Sequence, residues 1–300
     1  MNKLLIITGP TASGKTKLSL EIAEKFPAEI ISADSRQVYY GLNIGTDKIG
    51  TRKQKAKNHL EPLIIRNIPH YLIDILESNE PYSAGAFLKD SLRIIKDIHK
   101  RNKLPIIVGG TGFYIRTLTG GISLNETQPD AEFRIWAEDQ TLDTLLNLLK
   151  KLDHNQFQKI DQKNKRRIIR AIEIAKNKGK EFTLKIPDFD VLKIALKVNK
   201  EDLRKKIEAR ILSQFEEGLE QETKEVFEHW GETAPGLATI SYREFIPYFK
   251  KEITLGEVKN EIIKNTWHYS KRQFTWLKKE PNVIWANPEE AKKIIESWLK

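Results

Sequence analysis

The chain contains no cysteine. Disulfides, thiolate catalysis and cysteine-based zinc sites are thereby excluded, and the composition suits a reducing compartment. No uninterrupted apolar stretch approaches the roughly 20 residues that a membrane span requires. Internal repeats and low-complexity tracts are missing as well. The N-terminus runs straight into an apolar strand pattern and leaves no room for a signal peptide, so a soluble, cytoplasmic protein without a membrane partner is expected. What is present in excess is positive charge: Lys and Arg number 51 against 41 Asp and Glu, a formal net charge of +10. Clustered cations raise the local density of counter-anions, which points weakly to a polyanionic partner. At 300 residues the chain can bury a sizeable core in one large or two modest domains.

The most specific signal lies near the start. Gly9, Pro10, Thr11, Ala12, Ser13, Gly14, Lys15 and Thr16 follow the G-x-x-x-x-G-K-[ST] spacing of a phosphate-binding loop. The flanks agree with it. Leu4–Thr8 reads as a buried parallel strand, and Lys15–Phe26 places Leu18, Leu20, Ile22, Ala23 and Phe26 as a helix packed on a sheet. Gly9 and Gly14 let backbone N–H groups converge on an anion, helped by the dipole of the helix that follows. Lys15 is then placed to reach a distal phosphate, and the Thr16 hydroxyl to ligand Mg²⁺. The loop binds a polyphosphate. Kinases, NTPases and enzymes that release diphosphate all use such a cradle, so the chemistry stays open here.

A second strand, Ala28–Ala33, ends on Asp34, Ser35, Arg36 and Gln37. Ligands of open α/β sheets sit at the carboxyl ends of strands, which puts Asp34 beside the loop. It can serve as a magnesium partner, a general base or a helix cap. Asp74, closing the apolar run Pro69–Ile75, is a rival magnesium partner or a turn former. A helix over Ser83–Lys100 and a strand over Leu104–Val108 lead into Gly109-Gly110-Thr111, where small residues permit a close approach of backbone to a ligand. Together these elements predict an α/β fold, a phosphate-loop parallel sheet flanked by helices.

Residues 121–190 break the pattern. They carry charged helical sequence without a strand and read as an inserted all-helical subdomain; residues 1–120 and 191–300 form the α/β core, with a helical C-terminal part. Within the insertion Lys163, Arg166, Arg167 and Arg170 share one helix face, either an ordinary solvated surface or a contact for a phosphate backbone. Near the C-terminus Trp267, Tyr269, Phe274 and Trp276 alternate with Lys271, Arg272 and further lysines. Aromatics among cations suit nucleic acid, although Phe274 and Trp276 read more simply as core.

The phosphate loop, Asp34-Ser35-Arg36-Gln37-Val38-Tyr39, Asn43-Ile44-Gly45-Thr46-Asp47-Lys48, His70-Tyr71-Leu72-Ile73-Asp74, Gly109-Gly110-Thr111-Gly112-Phe113-Tyr114, Arg166–Glu173 and Lys271-Arg272-Gln273-Phe274-Thr275-Trp276 together resemble the tRNA dimethylallyltransferases, in order along nearly the whole chain. The resemblance implies transfer of a dimethylallyl group from dimethylallyl diphosphate to the adenosine 3′ of the anticodon. Its implied catalytic set is Asp34 as proton acceptor, Thr11 beside the bridging oxygen, Lys15 on the phosphates and Arg210 as a diphosphate clamp. The partner it implies is a tRNA anticodon stem-loop, held by Asp34, Ser35, Arg36, Gln37, Thr111, Arg134, Arg166, Arg167, Arg170, Tyr242, Arg243, Lys271 and Arg272. A small-molecule or nucleoside kinase is the alternative. One chain supplies a whole site, which suggests a monomer. Two positions depart from the family: Ser241 stands where it usually has Gly, and Trp267 where it commonly has Arg.

Overall fold

The computed structural model describes residues 2–120, 127, 129–177 and 186–300. Among them are strands β1 (Lys3–Thr8), β2 (Ala28–Ser32), β3 (Leu63–Ile65), β4 (Ile68–Tyr71), β5 (Leu104–Val108), β6 (Asp190–Leu196) and β7 (Val283–Ala286). They form one sheet in the order β3-β4-β2-β5-β1-β6-β7. The helices are α1 (Lys15–Lys25), α2 (Ala84–Lys100), α3 (Gly112–Leu118), α4 (Ala131–Glu138), α5 (Leu142–Leu152), α6 (His154–Lys159), α7 (Lys165–Lys176), α8 (Lys200–Glu216), α9 (Leu219–Trp230), α10 (Ile246–Phe249), α11 (Leu255–Leu277) and α12 (Pro288–Leu299). No described helix is long and apolar enough to cross a membrane.

β1 pairs in parallel with β5 and β6 and sits at the heart of the sheet. Its residues Leu4 to Ile7 are wholly buried, as a strand covered on both faces requires. Leu18, Leu20 and Ile22 of α1 and Ala291 and Ile295 of α12 pack with Leu5, Ile7, Ile106 and Ile194 in one core. The register places Ser32 beside Val108, and Val108 beside Ile7, so the carboxyl ends of β1, β2 and β5 lie side by side. At the opposite, amino end, Glu29 is a fully buried carboxylate. It accepts hydrogen bonds from Arg101, Lys103 and the Tyr71 hydroxyl.

Two strands lie outside the sequence reading. β3 and β4 form an antiparallel edge hairpin through Arg66 and Asn67, both left-handed (φ 51° and 63°); such a pair suits a tight hairpin turn. β7 adds to β6 in parallel within the stretch read as mostly helical. Three or four residues are too few to show a period.

The chain divides into two compact units, Met1–Gly121 with Ile186–Lys300, and Ile122–Lys185. Gly121, where the sequence changes character, lies outside the described residues. The second unit is all helical as described: Phe133, Leu145, Leu149, Ile168 and Ile172 from α4, α5 and α7 form its core. The apolar side of α7 turns inward and leaves Lys163, Arg166 and Arg167 exposed around its start. Helix caps follow the sequence closely. Asp130, Thr141, Asp153 and Asn164 each accept an amide of the helix they precede.

Candidate active site

Three turns meet where β1, β2 and β5 end. The first is the phosphate loop, in which Gly14 is left-handed (φ 90°) and opens α1 with no side-chain cap. An uncapped helix start offers its amides to an anion. The loop faces a cavity of about 600 Å³ lined by Thr11 to Lys17, Asp34, Gln37, Thr46, Asp47, Gly109 and Arg210. Lys15 Nζ donates to the carbonyls of Gly9 and Pro10 at 3.1 and 2.8 Å. Arg210, on α8, donates to Asp47 at 3.3 Å and so points at the loop from across the cavity. Ser13 Oγ and Arg210 Nε are buried without a partner among the described residues. Lys15, Arg210 and the uncapped start of α1 all line this cavity, a donor set that fits the oxygens of a diphosphate.

The second turn is Asp34–Gln37. Asp34 lines the cavity, and its Oδ1 accepts the Arg36 amide at 2.8 Å, an Asx turn rather than a helix cap. Gln37 accepts from Ser32 Oγ at 3.0 Å and donates to the Thr46 carbonyl at 3.2 Å. The third turn is Gly109–Gly112. Thr111 Oγ1 accepts the Ser35 amide at 3.1 Å, tying the second turn to the third. The glycines here make way for the protein itself rather than for a ligand: a Cβ on Gly109 would stand 2.2 Å from the Ala33 carbonyl oxygen, and one on Gly112 2.3 Å from the Trp276 ring.

Burial pushes the Lys15 ammonium down to about 8, against the opposing pull of Asp34. In the unfolded chain its ordinary value is 10.5, so the unfolded state holds more protons between the two values. The cost of burying this charge is therefore present below about pH 8 and is relieved as pH rises towards 10.5. Anion binding runs the other way, because only the ammonium attracts phosphate. Affinity for inorganic diphosphate should fall by up to about tenfold per pH unit above that point, with proton uptake on binding. Calorimetry in two buffers of different ionisation enthalpy measures both; a pH-independent affinity across this range would contradict the assignment.

Residues 37–280 match the family model described as IPP transferase. The chain belongs to this family. Residues 2–61 also match the model for isopentenyl transferase. The tRNA dimethylallyltransferase of Leuconostoc mesenteroides is 38% identical, with 100% of this chain and 99% of that protein aligned. The same-named protein of Pediococcus pentosaceus is 39% identical over 100% of this chain and 97% of its own length. Among solved structures, the tRNA isopentenylpyrophosphate transferase of Bacillus halodurans superposes with a TM-score of 0.71 at 32% identity, covering 99% of this chain and 94% of that one. A eukaryotic dimethylallyltransferase solved acting on tRNA gives 0.79 at 26% identity, covering 95% of this chain and 74% of that one. The fold is thus the phosphate-loop α/β sheet of the IPP transferases.

Other expected residues of this IPP transferase fall in different surroundings. Asp74 is not a magnesium partner. It is wholly buried, left-handed (φ 56°) and ion-paired with Lys48, away from the cavity lining. Tyr242, expected to meet RNA, is fully buried and gives its hydroxyl proton to Glu222 at 2.6 Å. The same Glu222 carboxylate accepts the amides of Asn43 and Ile44, and Gly45 leaves space for the Tyr242 ring. That clamp fixes the loop carrying Asp47, and sequence reading missed it because Glu222 shares no motif with the residues it holds. Arg243 is partly exposed and donates to Glu244. Ser241 keeps the conformation that the family's usual Gly would adopt, φ 83°, while its amide donates to Glu244. Trp267 is half-buried, with Lys271 Nζ 5.9 Å from its ring centre.

Lys271 and Arg272 are exposed on α11 and, with His268, Thr275, Trp276 and Lys279, line a basic groove of about 510 Å³. Phe274 stacks on Trp285, a packing role. In the second unit Glu173 gathers Arg134, Arg170 and the Asp130 amide. Burial pushes its carboxyl up, but the hydrogen bonds from Arg134 and Arg170 outweigh this and hold it below the usual range. Arg134 and Arg170 are therefore engaged within their own unit. Arg166 and Arg167 are exposed and make no ion pair among the described residues.

Proposed function

We propose that this protein transfers a dimethylallyl group from dimethylallyl diphosphate to N6 of the adenosine 3′ of the anticodon in tRNA. The observation that carries this reading is the convergence of a phosphate loop and a strand-end carboxylate, Asp34, on one cavity, in a chain aligned end to end with tRNA dimethylallyltransferases.

In the reaction the allylic carbon–oxygen bond of the donor breaks and a bond from N6 to that carbon forms. The diphosphate leaves with the electron pair, and a proton of the amine passes to Asp34. An aryl amine is a weak nucleophile because its lone pair is delocalised into the ring, so a positioned carboxylate lowers the barrier. Lys15, Arg210 and the loop amides hold the departing diphosphate, and Thr11 stands beside the bridging oxygen. Thr16 would hold Mg²⁺ together with diphosphate oxygens and water. Few protein ligands are needed for that ion, in keeping with the lack of a carboxylate or histidine cluster among the described residues. When bound, it neutralises charge developing on the leaving group. The acceptor base must leave its stack to reach the cavity. One chain lines the whole cavity, which supports a monomer, and a tRNA substrate supports work in the cytoplasm.

Labelled dimethylallyl diphosphate, Mg²⁺ and unmodified tRNA should yield labelled tRNA, and ATP should compete poorly with the donor. Tight ATP binding with phosphate delivered to an alcohol would overturn the reading in favour of a kinase.

RNA contact by Arg166 and Arg167 follows from the same reading. Replacing either by Ala should weaken binding similarly for all tRNA sequences and reduce the slope of log affinity against log salt by about one. An unchanged slope in filter binding across a salt series would place both on a solvated face.

A further inference from the structure

Gln273 belongs to the Lys271–Trp276 motif. It sits on α11, one turn beyond Tyr269, with 6% of its surface exposed. Its Oε1 accepts the Thr11 amide at 2.8 Å, and its Nε2 donates to the Gly110 carbonyl at 3.1 Å. Only one orientation of the amide satisfies both, because the flipped group would set donor against donor and acceptor against acceptor. The fit is close: a Cβ on Gly110 would stand 2.1 Å from Nε2.

The two groups it joins belong to opposite halves of the reaction. Thr11 lies in the loop that holds the leaving diphosphate. Gly110 leads into Thr111, which fixes the Ser35 amide and through it the turn of Asp34. Tyr269 lies against this second half. Its phenol, pushed up to about 12 by burial and then by the charge of Asp34, is neutral and neighbours Thr111.

We propose that Gln273 is a positioning residue that sets the distance between the donor loop and the acceptor turn. The proposal rests on the transferase reading above. Gln273 touches neither substrate nor the reacting atoms. It acts by keeping Thr11 and the Thr111–Ser35–Asp34 turn in register, so that nucleophile and allylic carbon meet in line. A displacement of about 1 Å at such a joint is enough to slow a reaction about a hundredfold. The next residues back along α11, Lys271 and Arg272, face the basic groove. One helix thus carries both the RNA-facing cations and the brace.

Gln273→Glu tests this. It keeps the size and the acceptor for Thr11, but sets a carboxylate oxygen against the Gly110 carbonyl. Gln273→Met keeps the volume and removes both bonds. Single-turnover transfer should slow by about 10- to 100-fold in each, with dissociation constants for donor and tRNA within about threefold of the wild type. Melting temperature, followed in parallel, should stay within a few degrees. An unchanged rate overturns the proposal. So does a rate loss matched by equally weakened donor binding, or one matched by a lost folded fraction. The wild-type protein is measured alongside: if it transfers nothing, the functional reading fails and the proposal with it. If it transfers normally, a negative result falls on Gln273 alone.

Discussion

Asp34→Asn slows single-turnover transfer by about 10²- to 10⁴-fold, the range expected when a general base is removed, while donor and tRNA affinities change less than about threefold. The substitution suits the site. Oδ1 of Asp34 accepts the Arg36 amide at 2.8 Å, and the asparagine oxygen can keep that bond, so the turn retains its shape. What disappears is an acceptor basic enough for the amine proton. The phosphate loop is untouched, because Asp34 reaches the cavity from β2 and the loop from β1. Rapid-quench measurement of label transferred to tRNA, beside filter binding, separates the two effects. Parallel losses of rate and RNA affinity would make Asp34 part of the RNA surface instead.

The second large effect is on stability. Lys48→Met is expected to destabilise the fold by about 3–5 kcal/mol, the usual result of stripping one partner from a buried ion pair. Both side chains of the Lys48–Asp74 pair are wholly buried. Lys48 also donates to the Tyr39 carbonyl at 2.6 Å and to Asn43 at 3.3 Å, so it pins the segment between the Asp34 turn and the clamped loop. Asp74 Oδ2 already has no partner among the described residues, and removal of Lys48 would leave a bare carboxylate inside. At about 2–4 °C per kcal/mol the melting temperature should drop by about 6–20 °C. Adding Asp74→Leu should recover much of the loss, since two apolar groups bury without a desolvation penalty. A Lys48→Met protein that melts within about 2 °C of the wild type would show that the pair contributes little.

The case of Asp74 shows how far the sequence could be read. A carboxylate after an apolar run looks the same whether it faces a ligand or a lysine 26 positions earlier. Only the fold brings Lys48 to it. The phosphate loop was legible because its residues act through local backbone: eight consecutive positions carry the geometry, and the strand and helix beside them confirm it. Arg210 came from family likeness alone, as its helix meets the cavity only after the chain crosses the sheet. Gln273 and Glu222 stayed silent for the same reason. Each works by gripping amides or carbonyls far away in sequence, and backbone partners leave no trace in residue identity. RNA contact for Tyr242 came from the family likeness alone, whereas here its ring is buried and fills the space left by Gly45. The resemblance implies RNA contact for Arg134 and Arg170, yet both donate to Glu173, and the Arg134 pairing spans 39 positions that no local pattern links. At Ser241 the departure from the family left the backbone where a glycine would put it, a conformation of order 1 kcal/mol less comfortable for serine.

The buried Glu29, with Arg101, Lys103 and Tyr71 closed around it, marks the end of the sheet farthest from the phosphate loop. Charge there is spent on fastening strands and loops together. At the other rim, Lys15 and Arg210 line a cavity that can receive an anion from outside. None of the Glu29 cluster lines that cavity, so the sheet can be reinforced at its amino rim without altering the lining of the reactive one.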